Sequence, residues 1–241
     1  SPGQAAGPDI IAEENWTKNP NLIPGGNFET ATSGKSDVPA GWESVAGQQR
    51  EPLGKLVRWI AEPGKSGNRI VRFQFDASVG DYEGVMYYSL PFPVEENAKY
   101  RFQVRYRSNG PKTKVFIKCY DELGTEYEGT GPKISANSSK RQAREVYRSQ
   151  QNLEGQKNTW NVHTEDFTPK HTQYRPRWGR VMLYAYTGAG VVDFDDVVIK
   201  QIVPPPSQPV AKDLRRSSES KITIKDMEEN QQRSEEAKRK R

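Results

Sequence analysis

Tyr100-Arg101-Phe102-Gln103-Val104-Arg105-Tyr106-Arg107 alternates apolar and polar residues without a break. Successive side chains leave a strand on opposite sides, so a period of two predicts a strand with one face buried. A second run, Thr113 to Tyr120, carries Val115, Ile117 and Cys119 in one phase. Ser108-Asn109-Gly110-Pro111 lies between the two, and Asn-Gly between alternating runs predicts a hairpin. The same period recurs in Val71, Phe73 and Phe75, and in Val181, Leu183 and Ala185. No strong helical pattern interrupts these runs, and Gly, Pro and Asn punctuate them. The body therefore reads as all-β, an antiparallel two-sheet β-sandwich.

The polar segment Asp121 to Thr159 reads as a long excursion between strands. Residues 204–211 hold Pro204-Pro205-Pro206 and Pro209, which cannot continue a sheet ladder, and form a Pro-rich linker. The sandwich is thus expected over 21–203, after an extended N-terminal arm over 1–20. Residues 212–241 form a charged tail in which Thr223 and Asp226 offer a helix start and Lys238-Arg239-Lys240-Arg241 suits a helix end. Such a tail is either solvated or folds on a partner. The chain begins Ser1-Pro2-Gly3 with no apolar signal core, as a processed, exported protein or a trimmed chain would.

Charge and composition exclude several classes. The net charge is +5, but the residues after Val203 hold +3 of it, and a near-neutral body is a poor match to a nucleic-acid backbone. No apolar run reaches the length of a bilayer-crossing helix. The single cysteine, Cys119, permits no internal disulfide and is expected to be buried. His163 and His171 lack metal-ligand spacing, and neither a nucleophile elbow nor a phosphate-binding loop is present. The reading is that the chain is not an enzyme.

Three segments carry a resemblance. Asn21-Leu22-Ile23-Pro24-Gly25-Gly26-Asn27-Phe28-Glu29, followed by Pro39-Ala40-Gly41-Trp42, resembles the opening of bacterial carbohydrate-binding modules of the galactose-binding-like, jelly-roll type that bind β-glucans and xylans. Gly190-Val191-Val192-Asp193-Phe194-Asp195-Asp196-Val197-Val198-Ile199 resembles their last strand, and Trp160 with Phe167 resembles a pair before the penultimate one. The resemblance implies a jelly-roll fold, glycan binding in an extracytoplasmic setting (secreted, periplasmic or cell-surface), and a structural Ca2+ ion. Its ligands would be Glu29 and Asp196, with Asp195 as the alternative acid and Asn27 as a contributor. Independently, Asp195 and Asp196 adjoin in an apolar strand, so one of them is expected to turn inward, where a carboxylate needs a cation or donors.

On the alternation, the outward face would carry Arg72, Gln74, Arg101, Gln103, Arg105, Lys118, Tyr120, Tyr184 and Tyr186. Tyr120, Tyr184 and Tyr186 are the candidate sugar-stacking rings, with Arg72, Gln103 and Arg105 as polar support. The basic groups point to an anionic ligand. Trp178, among three arginines in Tyr174–Arg180, is a further ligand candidate, or else a strand anchor. Trp42 and Trp160 are expected in the core, and one of Tyr87 and Tyr88 must face inward. The partner is then a polysaccharide or oligosaccharide. The alternative is an accessory subunit of a larger extracytoplasmic assembly, contacting other protein subunits through the sandwich and residues 204–241.

Overall fold

The computed structural model describes residues 8–43, 56–122 and 144–207. Its elements are helix α1 (Pro8–Lys18), strands β1 (Ala31–Thr32), β2 (Lys35–Pro39), β3 (Trp42–Glu43), β4 (Val57–Ala61) and β5 (Arg69–Phe75), the short helix α2 (Ala77–Gly80), then β6 (Val85–Ser89), β7 (Phe92–Pro93), β8 (Lys99–Ser108), β9 (Lys112–Tyr120), β10 (Glu145–Asn152), β11 (Asn161–Phe167), β12 (Trp178–Tyr186) and β13 (Gly190–Val203). One sheet has six strands, in the order β10-β9-β12-β6-β3 with β7 also on β12; the other has five, in the order β11-β8-β13-β5-β4. Their pairings are antiparallel, and the fold is an all-β two-sheet sandwich.

Alternation fills the space between the sheets. Tyr100, Phe102, Val104 and Tyr106 from β8, Val115, Ile117 and Cys119 from β9, Val181, Leu183 and Ala185 from β12, and Val192 and Phe194 from β13 share one apolar cluster. Burial of this kind contributes about 25 cal/mol per Å² of apolar surface and is the main force holding the layers together. Trp42, Trp59 and Tyr87 join that cluster, whereas Tyr88 belongs to a smaller one on the outer side.

Four sequence expectations are corrected. Asn109-Gly110 does not close a hairpin, because β8 pairs with β11 and β13 while β9 pairs with β10 and β12. The chain crosses from one sheet to the other there. A two-residue hairpin turn of the Asn-Gly type needs positive φ at both central residues, and among the described residues neither Asn109 nor Gly110 is in that region. Asn109 instead binds the last strand, its N–H donating to the Val191 carbonyl at 3.1 Å and its Oδ1 accepting from the Val191 N–H at 2.8 Å.

The N-terminal arm is not extended throughout: residues 8–18 are helical, with Pro8 opening the helix, Asp9 in its first turn and Lys18 in its last. This helix packs on β13, where Asn15 and Asn19 donate to the Ile202 and Gln201 carbonyls at 2.8 and 2.7 Å. The excursion after Asp121 contains a strand, β10, that extends the six-stranded sheet beside β9. Trp160, expected in the core, lies outside the core cluster; its ring covers Arg105 and Arg107, at 3.8 and 4.7 Å from their guanidinium carbons.

The paired acids meet the expectation in part. A bulge in β13 shifts the register between Asp195, opposite Arg105, and Val198, opposite Gln103. Asp196 takes φ 48° there, and Val197 enters the core. The bulge resets the alternation by one residue, so neither acid enters the core between the sheets. Asp195 is nonetheless fully buried on the outer side, where Arg105 and Asn68 supply the cation and donor that a buried carboxylate needs. The opening segment docks on this bulge. Asn21 Nδ2 donates to the Val197 carbonyl at 2.9 Å, and Asn21 Oδ1 accepts from the Ile199 N–H at 3.0 Å. Gly26 is required at this junction, because a Cβ would stand 2.0 Å from the Val197 carbonyl oxygen. The linker is described only as far as Ser207, and the charged tail over 212–241 lies outside the described residues.

Candidate functional site

The sheet crossover at Asn109 separates the residues that the sequence placed on one face. Arg72, Gln103 and Arg105 stand on the outer face of the five-stranded sheet; Tyr120, Trp178, Tyr184 and Tyr186 stand on the outer face of the six-stranded sheet, across the molecule. The ligand set therefore divides into two groups that cannot touch one ligand residue.

The six-stranded face is built on β12 and β9. Odd positions of β12 fill the core, so Trp178, Arg180, Met182, Tyr184 and Tyr186 point outward, opposite Tyr120, Lys118, Phe116, Lys114 and Lys112 of β9. Tyr88, Phe116 and Met182 are buried and form an apolar floor. Half-exposed rings stand at both ends of this floor. Trp178 faces Tyr120 across the strands at one end; Tyr184 and Tyr186 stack at 4.9 Å and 6° at the other. Six residues of strand separate Trp178 from Tyr184, or about 20 Å.

Cations lie between and upon these rings. Lys114 Nζ is 5.0 Å from the Tyr186 ring centre, Lys118 Nζ is 5.2 Å from that of Tyr88, and the Arg148 guanidinium is 5.7 Å from that of Phe116. Lys118 also donates to the Tyr88 hydroxyl at 2.8 Å. Among the described residues two acids pair with cations of this face, Glu145 with Arg148 and Glu43 with Arg180. Lys114 and Lys118 make no salt bridge among the described residues, although Glu145 lies near enough to Lys118 to act on its charge, and the described cations of the face outnumber its acids. Burial lowers the Lys118 pKa from its ordinary value against the pull of Glu145, with Arg148 and Arg180 adding to the lowering. Burial raises that of Glu43 to about 7 against the pull of Arg180. Sequence reading missed Lys114, Arg148, Arg180 and Glu43; the alternation of β9 and β12 could have supplied Lys114 and Arg180 once the two strands were known to pair.

The five-stranded face is organised by ion pairs instead. Arg72 and Arg107 both grip Asp193, through contacts of 2.7 to 3.2 Å. Arg105 bridges Glu62 and Asp195, and Asn68 Nδ2 donates to both acids at 2.7 and 2.8 Å. Arg101 joins Asp166 to Glu13 of α1. Gln103 donates to Thr164 on β11 at 3.1 Å.

The four residues expected to hold calcium come to one end of the sandwich, though not as one cluster. Asp195 is committed to Arg105, Asn68 and the Asp196 N–H, so an arginine already neutralises it. Glu29 accepts from the Arg69 N–H at 2.9 Å, and Asn27 Oδ1 accepts from the Glu29 N–H at 3.3 Å. Asp196 is exposed. Its pKa is raised by partial burial, with repulsion from Asp195 and Glu29 adding to it. Among the described residues no group of three or more His, Cys, Asp or Glu is placed to hold a metal ion.

No family model matches this sequence, and no curated protein matches it either. Solved structures do. Among its structural neighbours are carbohydrate-binding modules. A second family 16 carbohydrate-binding module is 12% identical, with a TM-score of 0.44, over 74% of this chain and 99% of its own. The CBM22-1 xylan-binding domain from Paenibacillus barcinonensis is 12% identical, with a TM-score of 0.43, over 77% and 97%. A family 61 module, solved in complex with β-1,4-galactotriose, is 14% identical, with a TM-score of 0.41, over 76% and 99%. No helix among the described residues is long and apolar enough to cross a membrane.

Proposed function

We propose that the chain is a non-catalytic module that binds an acidic glycan across the outer face of its six-stranded sheet. The observation that supports this most is the combination of two half-exposed ring pairs, Trp178 with Tyr120 and Tyr184 with Tyr186, with lysines that lie on rings and make no salt bridge among the described residues. Rings offer apolar surface to the C–H faces of sugar residues, and ammonium groups attract carboxylates or sulfates on the same polymer. A span of about 20 Å suits several sugar residues rather than one. An acidic polysaccharide ligand also implies an extracytoplasmic setting, where such polymers are displayed.

Binding to immobilised polygalacturonate, alginate, xylan and β-glucan tests this reading. The full chain should retain on the two acidic polymers and weaken as salt rises. Replacing Tyr184 and Tyr186 together by Ala should weaken retention about tenfold, since buried aromatic anchors are each worth more than about 1 kcal/mol. Retention on none of the four polymers, or retention indifferent to the ring substitutions, would overturn it.

A calcium ion is proposed at the junction of the opening segment and the bulge, held by Glu29 and backbone carbonyls and by Asp196, which would exchange its 3.5 Å pair with Arg105 for the ion, and without Asp195. Hard carboxylate oxygens suit this ion, and relief of the Glu29–Asp196 repulsion would stabilise the docked opening segment. Chelation should then lower the melting temperature of the wild type and leave Asp196→Asn unchanged; equal behaviour of the two proteins would refute the site.

A further inference from the structure

The five-stranded face holds a cavity of about 300 Å³ lined by Arg72, Arg107, Asn109, Asn158, Val191 and Asp193. It lies on the opposite side of the sandwich from the aromatic face, and no role in the proposed glycan platform reaches it. Its floor is Asp193, whose carboxylate is 2% exposed and carries both guanidinium groups. Two arginines against one aspartate leave a net charge of +1, and 22% and 27% of the two arginine side chains remain exposed.

The Nε and one Nη of each arginine bond Asp193. The other Nη of each carries donors that no described group takes. Asn109 spends its Oδ1 on the Val191 N–H, which leaves its amide N–H₂ as a donor. Asn158 stands in a turn at φ 59°, fixed by its N–H to the Ser108 carbonyl at 2.9 Å. Two residues on, the Trp160 ring lies 4.7 Å from the Arg107 guanidinium and limits its movement. The lining is thus rich in donors, poor in free acceptors and held rigid before any ligand arrives.

We infer that this cavity is a second binding site, for a single monoanionic sugar residue bearing a carboxylate or a sulfate. Its size is at the lower end for small-molecule sites, which fits one ring rather than a chain. With the Nε–Nη edge of each arginine on Asp193, the remaining Nη N–H groups of Arg72 and Arg107 are the charge-assisted donors that a carboxylate or sulfate would meet. The +1 charge matches a monoanion; a dianionic phosphate would be left under-neutralised. The amides of Asn109 and Asn158 serve the hydroxyls, and Val191 supplies the apolar wall.

The test is titration of the isotopically labelled full chain with D-glucuronate, D-glucose 6-sulfate, D-glucose and inorganic sulfate, read at the side-chain Nε–Hε signals of Arg72 and Arg107. Either charged sugar should shift these signals, with the neutral sugar and the bare ion at least tenfold weaker. Asn158→Asp puts a carboxylate at the cavity wall while keeping a residue type that tolerates positive φ, and like charges brought together cost several kcal/mol. It should weaken the charged sugar at least tenfold, with the fold checked by an unchanged amide spectrum elsewhere. Equal binding of glucose, sulfate binding as tight as the sugars, no shift at the two arginines, or an Asn158→Asp protein that still binds would each overturn the site. Because the readout is local to β5 and β8, its failure leaves the aromatic-face reading untouched, and the reverse also holds.

Discussion

The two outer faces of this sandwich use the same cationic residue types for opposite purposes. On the five-stranded face, Arg72, Arg101, Arg105 and Arg107 each meet a carboxylate. On the six-stranded face, Lys114 and Lys118 meet rings. A cation with carboxylates of its own, as Arg101 and Arg105 have, has spent its charge on holding the fold, whereas Arg72 and Arg107 share Asp193 and keep one charge between them. A cation lying on a ring keeps a net charge that a ligand can still use, because the ring quadrupole attracts it without neutralising it. What separates a structural cation from a binding one here is whether its charge is matched by a carboxylate, and the number of cations says little.

The sharpest way to break this contrast is to remove a carboxylate from the ion-pair face. Asp195 is 0% exposed and binds both Arg105 and Asn68. Asp195→Ala strips the Asn68 amide and the Asp196 N–H of their acceptor and takes one carboxylate from Arg105, which Glu62 still pairs, so the cost should be about 1–3 kcal/mol, that of leaving buried polar groups unsatisfied. Denaturant unfolding should show a loss of that size, while the folded fraction still binds acidic polysaccharide as the wild type does. A loss below about 1 kcal/mol would mean that the ion pairs of this face are as dispensable as ordinary surface pairs.

Removing a cation from the aromatic face should do the reverse. Lys118→Met keeps the apolar stem over Tyr88 and Phe116 but deletes the ammonium. Stability should change little, since the lowered Lys118 pKa already reports a charge that burial disfavours. Affinity for polygalacturonate should fall about fivefold to tenfold, or about 1 kcal/mol, with a shallower salt dependence. Unchanged affinity and salt dependence would assign Lys118 to packing alone.

The same contrast explains what was legible in the sequence. Period two gave the core: Phe102, Val104, Ile117, Leu183 and Phe194 are all fully buried. The four candidate rings do share a face, because Tyr120 lies opposite Trp178 and the two tyrosines are both in the outward phase of β12. One turn undid the rest of the set. With Asn109-Gly110 read as a hairpin, β8 and β9 become neighbours and Arg105 joins Tyr120; with the chain crossing between sheets, they part to opposite sides. Local turn chemistry could not decide this, because the tie is Asn109 to Val191, 82 residues away. The bulge at Asp195–Val198 was hidden for the same reason: it exists only in the register of β13 against β8. Trp160 was assigned to the core by resemblance, and only the arginines of β8 beneath it explain why it stays outside.

The smallest expected effect separates the two faces by pH. Glu62 on the five-stranded face has its pKa lowered, chiefly by hydrogen bonding from Arg105. Its contribution is present above the unfolded value of 4.5 and is lost as pH falls through the lower folded value. Glu43 on the six-stranded face is shifted the other way, from 4.5 to about 7, because burial outweighs Arg180. A raised carboxylate binds more protons folded than unfolded between those values, so its contribution is full below pH 4.5 and declines as pH rises towards 7. With a fifth of the Glu43 side chain exposed, the decline should be on the order of 1 kcal/mol. Glu43→Gln cannot ionise, so its stability measured from pH 5 to pH 8 should lack this downward component. Affinity of the wild type for an acidic polymer should fall across the same window, as an ionised Glu43 subtracts from the positive charge of the face, while the Gln variant holds steady. Parallel pH profiles for the two proteins would show that Arg180 keeps Glu43 ionised throughout, and would move Glu43 into the same class as Glu62: a carboxylate whose charge serves the fold.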